Sequence, residues 1–201
     1  MVRNVRYRMV MVTPTTRRLA RADWAMAALS AIAETGMAGV AVEPLARRLA
    51  TTKGSFYWHF ANREALIEAA LELWEQEHTE AVIVRVEEET DPLQRLRLLL
   101  TTAIMLAQED VIDAAVLASA RHPLVAPALD RVTERRVGYL AQLFRQLGFP
   151  PVQARDRGLL AYTAYLGQSQ LIQAGLSAVP ADGAALRRYV DRILGILTAP
   201  D

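Results

Sequence analysis

The chain has 201 residues, enough for one ordinary domain or two small ones with a self-supporting core. Hydrophobic residues at 52% and charged residues at 22% exclude a disordered chain, and zero cysteines exclude a disulfide framework or a zinc site built on thiolates. Net charge is only +1, but residues 1–63 hold ten Arg/Lys against three acids and the remainder 13 against 19. A basic head on an acidic body points to a polyanion partner at one end, or to a charged face that is merely solvated.

The opening "MVRNVRYRMVMV" is basic with an apolar run too short for a secretion signal, and Met9 and Met11 offer later starts that would make the first residues an extension. Helical periodicity then fills nearly every segment, and no period-two run is long enough for a strand, so the expected class is all-α with about nine helices. The first helix, at about 21–35, puts Trp24, Ala27, Ala28, Ala31 and Ile32 on one face, and Gly36 and Gly39 break it. The second, at about 42–49, turns Leu45 and Leu49 inward and Arg47 and Arg48 outward. Ala41 at its N-cap offers no side-chain oxygen, but Pro44 at N3 has no amide to satisfy. Thr51 or Thr52 caps a short third helix ending near Phe60, and Asn62 caps a fourth reaching about Val84. Asp91 followed by Pro92 starts a fifth, with Leu96, Leu100 and Ile104 in its apolar stripe.

A shorter helix follows at about 111–120, and "HPLVAP" precedes a long one in which Leu129, Val132, Arg136, Leu140, Leu143 and Leu147 recur at three- and four-residue steps until "GFPP". The eighth, at about 152–176, carries a row of small residues, Gly158, Ala161, Ala164 and Gly167, along which another helix backbone fits closely. Residues 158–181 carry no formal charge and are long enough to cross a bilayer, but Gln168, Ser169, Gln170 and Gln173 would need partners in lipid, so burial between protein surfaces is expected. "VPADG" leads through Asp182 into a ninth helix with Leu186, Val190, Ile193, Leu194 and Leu197.

The stretch "TTKGSFYWHF" at 51–60 holds the chain's one lysine. Helices at about 42–49 and 52–60 joined by a very short turn have the lengths of a helix-turn-helix whose second member enters a major groove. Phe56 and Phe60, four apart, pack inward on Leu45 and Leu49, which leaves Thr52, Lys53, Ser55, Tyr57 and His59 outward. Lys53 suits guanine or phosphate, Tyr57 and His59 suit phosphates, and Arg63 adds a guanidinium beside free backbone amides. Short helix pairs with aromatics are also ordinary core, and Tyr57 and Trp58 fit that reading too.

"RADWAMAALSAIAETG" followed by "VEPLARRLATTKGSFYWHFANREAL" resembles the N-terminal DNA-binding region of TetR-type transcriptional regulators, over about residues 20–70. Gly54, Phe56, Tyr57, His59 and Phe60 fall in the family's order, followed by Asn62, Arg63 and Leu66. The resemblance implies an interface of Thr52, Lys53 and Ser55 on bases, Tyr57 and His59 on phosphates with Trp58 beside them, and Arg63 in the role of a lysine common there. Three departures stand out. Ala50 occupies a turn position usually held by glycine, Thr51 replaces an apolar neighbour, and Ala20 and Ala41 stand where a hydroxyl cap is common.

The expected organisation is therefore an extension and helix-turn-helix head over 1–65 and an effector-binding and dimerisation body over 66–201. One short recognition helix reads too few base pairs, so a homodimer through the last two helices is expected. The family further implies an inducer cavity. Trp74, His78, Met105, His122, Tyr162 and Tyr165 suit a mostly apolar ligand with a few polar anchors. Glu75 and His78 form a lone E-x-x-H without the second pair a di-iron bundle needs, and no hydrolase, P-loop or dinucleotide pattern is present. The expected protein is a cytoplasmic repressor, not an enzyme, with no cofactor or metal, that binds a near-palindromic double-stranded operator and is released by a small molecule. The alternative is a helical-bundle enzyme or carrier that does not bind DNA.

Overall fold

The structure is a computed structural model that describes residues 19–109, 111–176, 179–180 and 183–199; the early arginines and Asp182 lie outside them. Every regular element among the described residues is helical. Helix α1 (Arg21–Thr35) has no side-chain acceptor at Ala20, but the Asp23 carboxylate accepts from the Ala20 amide at 2.7 Å, one half of a capping box. Gly36, at φ +70°, ends the helix. After a 3₁₀ turn at Met37–Gly39, α2 (Val42–Arg48) and α3 (Lys53–Tyr57) form the helix pair. Gly39 sits tightly: a Cβ there would lie 1.8 Å from Thr35 Oγ1 and 3.0 Å from the Ala31 carbonyl oxygen, so the Thr35 side chain would have to turn away.

The caps read from the sequence are present. Thr52 Oγ1 accepts from the Ser55 amide at 3.3 Å, Asn62 Oδ1 from Ala65 at 2.8 Å, and Asp91 Oδ1 from Gln94 at 2.8 Å. The long fourth helix is two α segments, α4 (Arg63–Glu75) and α5 (Ala81–Glu87), joined by a π turn at Gln76–Glu80 that residue periodicity did not announce. Then come α6 (Pro92–Glu109), α7 (Ile112–Ala118), α8 (Val125–Gln146), α9 (Pro151–Gln173) and α10 (Gly183–Leu197).

Two hydrophobic clusters hold this together. The first joins Trp24, Ile32, Phe56 and Phe60 to Leu66 and Trp74 of α4 and runs on to Val116 of α7 and Val132 of α8, so the core that supports the head extends past residue 65. The second gathers α5, α6, α8, α9 and α10 around Leu96, Leu143, Phe144 and Val190. Within it α8 and α9 pack along each other. Gly158 lies against α8 so closely that a Cβ would sit 3.1 Å from the Val137 carbonyl oxygen and the Ala141 nitrogen. Gly167, from the same row of small residues, meets nothing within 4 Å.

Candidate nucleic-acid interface and body cavity

The helix pair is seated by its aromatics. Phe56 is fully buried, stacks on Phe60 at 5.6 Å and meets Trp24 edge-on at 5.4 Å, while the Arg21 guanidinium lies 5.0 Å from the Phe60 centroid. The turn between α2 and α3 is a Schellman motif. Thr51 donates to the Ala46 carbonyl at 2.9 Å and Ala50 to Arg47 at 3.1 Å, with Ala50 at φ +49°. The same motif ends α8 at Gly148 and α9 at Gly175, both glycines at positive φ. Alanine therefore adopts the left-handed geometry here despite its Cβ, at a cost of about 1 kcal/mol.

That turn presents the row expected from the sequence. Thr52, Lys53 and Tyr57 are exposed and Ser55 and His59 half-buried. Trp58 is 82% exposed, which removes it from the core. Thr52 keeps its O–H as a donor, since capping uses a lone pair. Lys53 Nζ lies 3.0 Å from Glu43 Oε1, which raises the lysine's pKa and lowers the carboxylate's through their hydrogen bond. Arg63 differs from the expectation. Its Nε donates to the Val40 carbonyl and its Nη2 to the Met37 carbonyl, both at 2.6 Å, so its guanidinium ties the α1–α2 connection to the start of α4. The Val40 carbonyl just past the 3₁₀ turn, and the Met37 carbonyl that also accepts from the Val40 amide, hold it inward, whereas spacing along the chain places it toward a phosphate.

The body holds a cavity bordered by α5, α6, α8 and α9 and the π turn, walled by aliphatic side chains such as Val82, Leu99, Leu106 and Leu140. Its polar end is a buried network. Arg136 donates through Nη1 to Asp113 Oδ2 at 2.9 Å, through Nη2 to Asp113 Oδ1 at 3.3 Å and to the His78 carbonyl at 3.0 Å, and through Nε to Thr79 Oγ1 at 2.9 Å. The Tyr165 hydroxyl and the Trp74 indole N–H also donate to Asp113, at 2.6 and 2.5 Å. Burial alone would raise the Asp113 pKa, but Arg136 together with His78 and the Tyr165 hydroxyl outweighs it and holds the carboxyl at about 2. Burial and the Asp113 charge both push the Tyr165 phenol up. Arg136 also fixes the π turn, since two of its bonds go to residues 78 and 79.

Of the expected ligand residues, His78, Tyr162 and Tyr165 line this cavity. Trp74 is buried behind it, 1% exposed, as a donor to Asp113. Met105 is 37% exposed on α6, and His122 Nδ1 accepts from the Leu124 amide at 3.3 Å just ahead of α8; neither borders the cavity. Asp113 and Arg136 were missed as site residues, although a charged residue within the inward stripe at 129–147 was a visible signal. Glu75 pairs with Arg131 at 3.1 Å while His78 lies 3.6 Å from Asp113, and among the described residues no group of three or more His, Asp or Glu is placed to hold a metal. No helix among the described residues is long and apolar enough to cross a membrane.

Residues 26–70 match the family model of the bacterial regulatory proteins of the tetR family. The head thus carries the TetR-family pattern over those residues. Over the whole chain the likeness is one of fold. A transcriptional regulator from Rhodococcus sp. Rha1 is 20% identical, with 89% of this chain and 96% of that one covered and a TM-score of 0.72. AibR, solved with isovaleryl coenzyme A and operator DNA, is 21% identical over 92% and 100% with a TM-score of 0.64. FadR from Bacillus subtilis, solved with stearoyl-CoA, is 15% identical over 90% and 98% with a TM-score of 0.69. No curated protein matches the chain. The all-helical TetR architecture, with a helix-turn-helix head on a helical body, is thus common to this chain and its structural neighbours.

Proposed function

We propose that the chain is a ligand-responsive repressor that grips a near-palindromic operator as a homodimer, in the cytoplasm, and releases it when a small molecule fills the body cavity. The carrying observation is the row Thr52, Lys53, Tyr57 and Trp58 standing outward over buried Phe56 and Phe60 within the TetR-family match. Lys53 and the hydroxyls suit base edges and Tyr57, Trp58 and His59 the backbone, with Arg63 bracing the helix pair from below. Two neighbours were solved with CoA ligands, one of them also with operator DNA, which supports ligand response on this fold.

Pairing is supported by α9, which is apolar on opposite sides. Ala154, Ala161 and Tyr162 are buried while Leu159, Leu160 and Leu171 stand out, and Ile196 of α10 is 65% exposed. An outer apolar face on a helix whose inner face is already packed calls for cover, and a two-fold partner laying its own last two helices there would provide it. For the response, Asp113 opens α7, whose Val116 belongs to the same core cluster as α1. A ligand favouring a splayed form by ~3 kcal/mol would weaken operator affinity about a hundredfold.

The test is selection of bound sequences from random duplex DNA, followed by titration in salt. A recovered inverted repeat and a log-affinity falling steeply with log salt are expected. Tyr57→Ala should reduce affinity tenfold or more without lowering the melting temperature; failure to recover any duplex would end the regulator reading.

A further inference from the structure

The polar end of the cavity is electrically closed. Asp113 and Arg136 side chains are both 13% exposed and face each other, so their charges cancel where water is excluded. Four donor bonds from Arg136 are already placed, which leaves one N–H of its five, and Asp113 already accepts from Arg136, Tyr165 and Trp74. A ligand carboxylate arriving here would meet a cation already held by a carboxylate. It would either sit beside a like charge or expel Asp113 from its donors, and both leave a buried charge uncompensated. A neutral oxygen function meets no such opposition: the last Arg136 N–H donates to it, and the Tyr165 oxygen keeps lone pairs to accept from it. Tyr139, also lining the cavity, has a buried hydroxyl without a hydrogen-bond partner among the described residues, a further neutral group that an uncharged oxygen would suit.

Nor is the surround arranged for a polyphosphate. Arg135, next to Arg136, is clasped by both oxygens of Glu80 at 2.8 Å, and Arg131 is paired with Glu75. Beyond residue 63 the chain holds 13 basic against 19 acidic residues.

We infer that the cavity takes an uncharged, mostly apolar small molecule with one hydroxyl or carbonyl oxygen, and rejects carboxylates and CoA thioesters of the same carbon skeleton. The inference rests on the regulator reading for the cavity being the effector site, and it separates this chain from the CoA-bound neighbours.

The experiment is calorimetric titration of the full-length protein with matched alcohols, methyl ketones, carboxylates and CoA thioesters of four to ten carbons, with operator release followed in parallel. Neutral members should bind at least tenfold more tightly than the carboxylate or thioester of equal length. Equal or tighter binding of either anion, or no binding by any neutral member up to its solubility, overturns the inference. Asp113→Asn, which leaves Arg136 uncompensated, should move the preference at least tenfold toward carboxylates, and an unmoved preference in a folded variant also overturns it. If that variant fails to fold, the wild-type series decides. Operator release by CoA thioesters alone would sink the ligand class and leave the regulator standing, whereas absence of any duplex binding would sink the regulator and leave the ligand class to the titration.

Discussion

Ala50 and Asp113 show how much rests on single positions. Ala50 holds φ +49° at the C′ position of a Schellman motif that the chain elsewhere gives to Gly148 and Gly175. Ala50→Gly should relieve the Cβ clash and stabilise the protein by up to about 1 kcal/mol, less the extra freedom glycine gains when unfolded. Thermal unfolding checks it, and a loss of about 1 kcal/mol, the full cost of glycine's freedom in the unfolded chain, would mean that the turn is not strained by its side chain. Asp113 has a folded pKa of about 2 against an ordinary value of 3.8. A depressed carboxylate contributes stability that is fully present above its unfolded pKa and is lost as pH falls through the folded one, so the window is roughly pH 4 to 2. The contribution is about 2 kcal/mol. Stability measured across that window should fall more steeply for wild type than for the double variant Asp113→Asn with Arg136→Met; parallel curves would show that the pair carries no such linkage. The two groups stand 23 positions apart on different helices, so nothing local in the sequence pairs them, although an arginine in the inward stripe of α8 was legible as an anomaly.

At the scale of elements, sequence periodicity and caps located the helices well. Thr52, Asn62 and Asp91 cap as read, because an N-cap is a local bond between a side chain and an amide three residues on. The row of small residues on α9 was legible too, but it divides between two roles. Gly158 touches the α8 backbone, and Gly158→Ala should destabilise the fold by about 1–3 kcal/mol. Gly167→Ala meets nothing within the protomer and should leave the melting temperature of a monomeric background unchanged or raised. Equal losses at both sites would contradict the α8–α9 contact. The π turn at Gln76–Glu80 went unread, since an extra residue in a turn is fixed by what bonds its freed groups, here Arg136 from another helix. For the same reason spacing along the chain does not show where Arg63 points: the Val40 and Met37 carbonyls that capture it are more than 20 residues away.

The whole molecule couples a head to a body through α4 and α7, which share one hydrophobic cluster with α1. If pairing covers the outer leucines of α9, replacing Leu160 and Leu171 together by Glu should give a folded monomer in sedimentation, with operator affinity at least a hundredfold weaker because one half-site is lost. A dimer that survives both changes would place the two-fold elsewhere. The amino-acid sequence by itself determined the helical class, the caps, the order of elements and the inward turn of Phe56 and Phe60 beneath Thr52 and Lys53, because each follows from periodicity or from bonds between near neighbours. Only the tertiary structure decided that Trp58 is bare, that Arg63 braces the helix pair, that Met105 and His122 stand off the cavity, and that Asp113 neutralises Arg136 inside it. Those outcomes depend on which groups from distant helices arrive within 3–4 Å of one another, and strong interactions in a dry interior are set by that arrival and not by spacing along the chain.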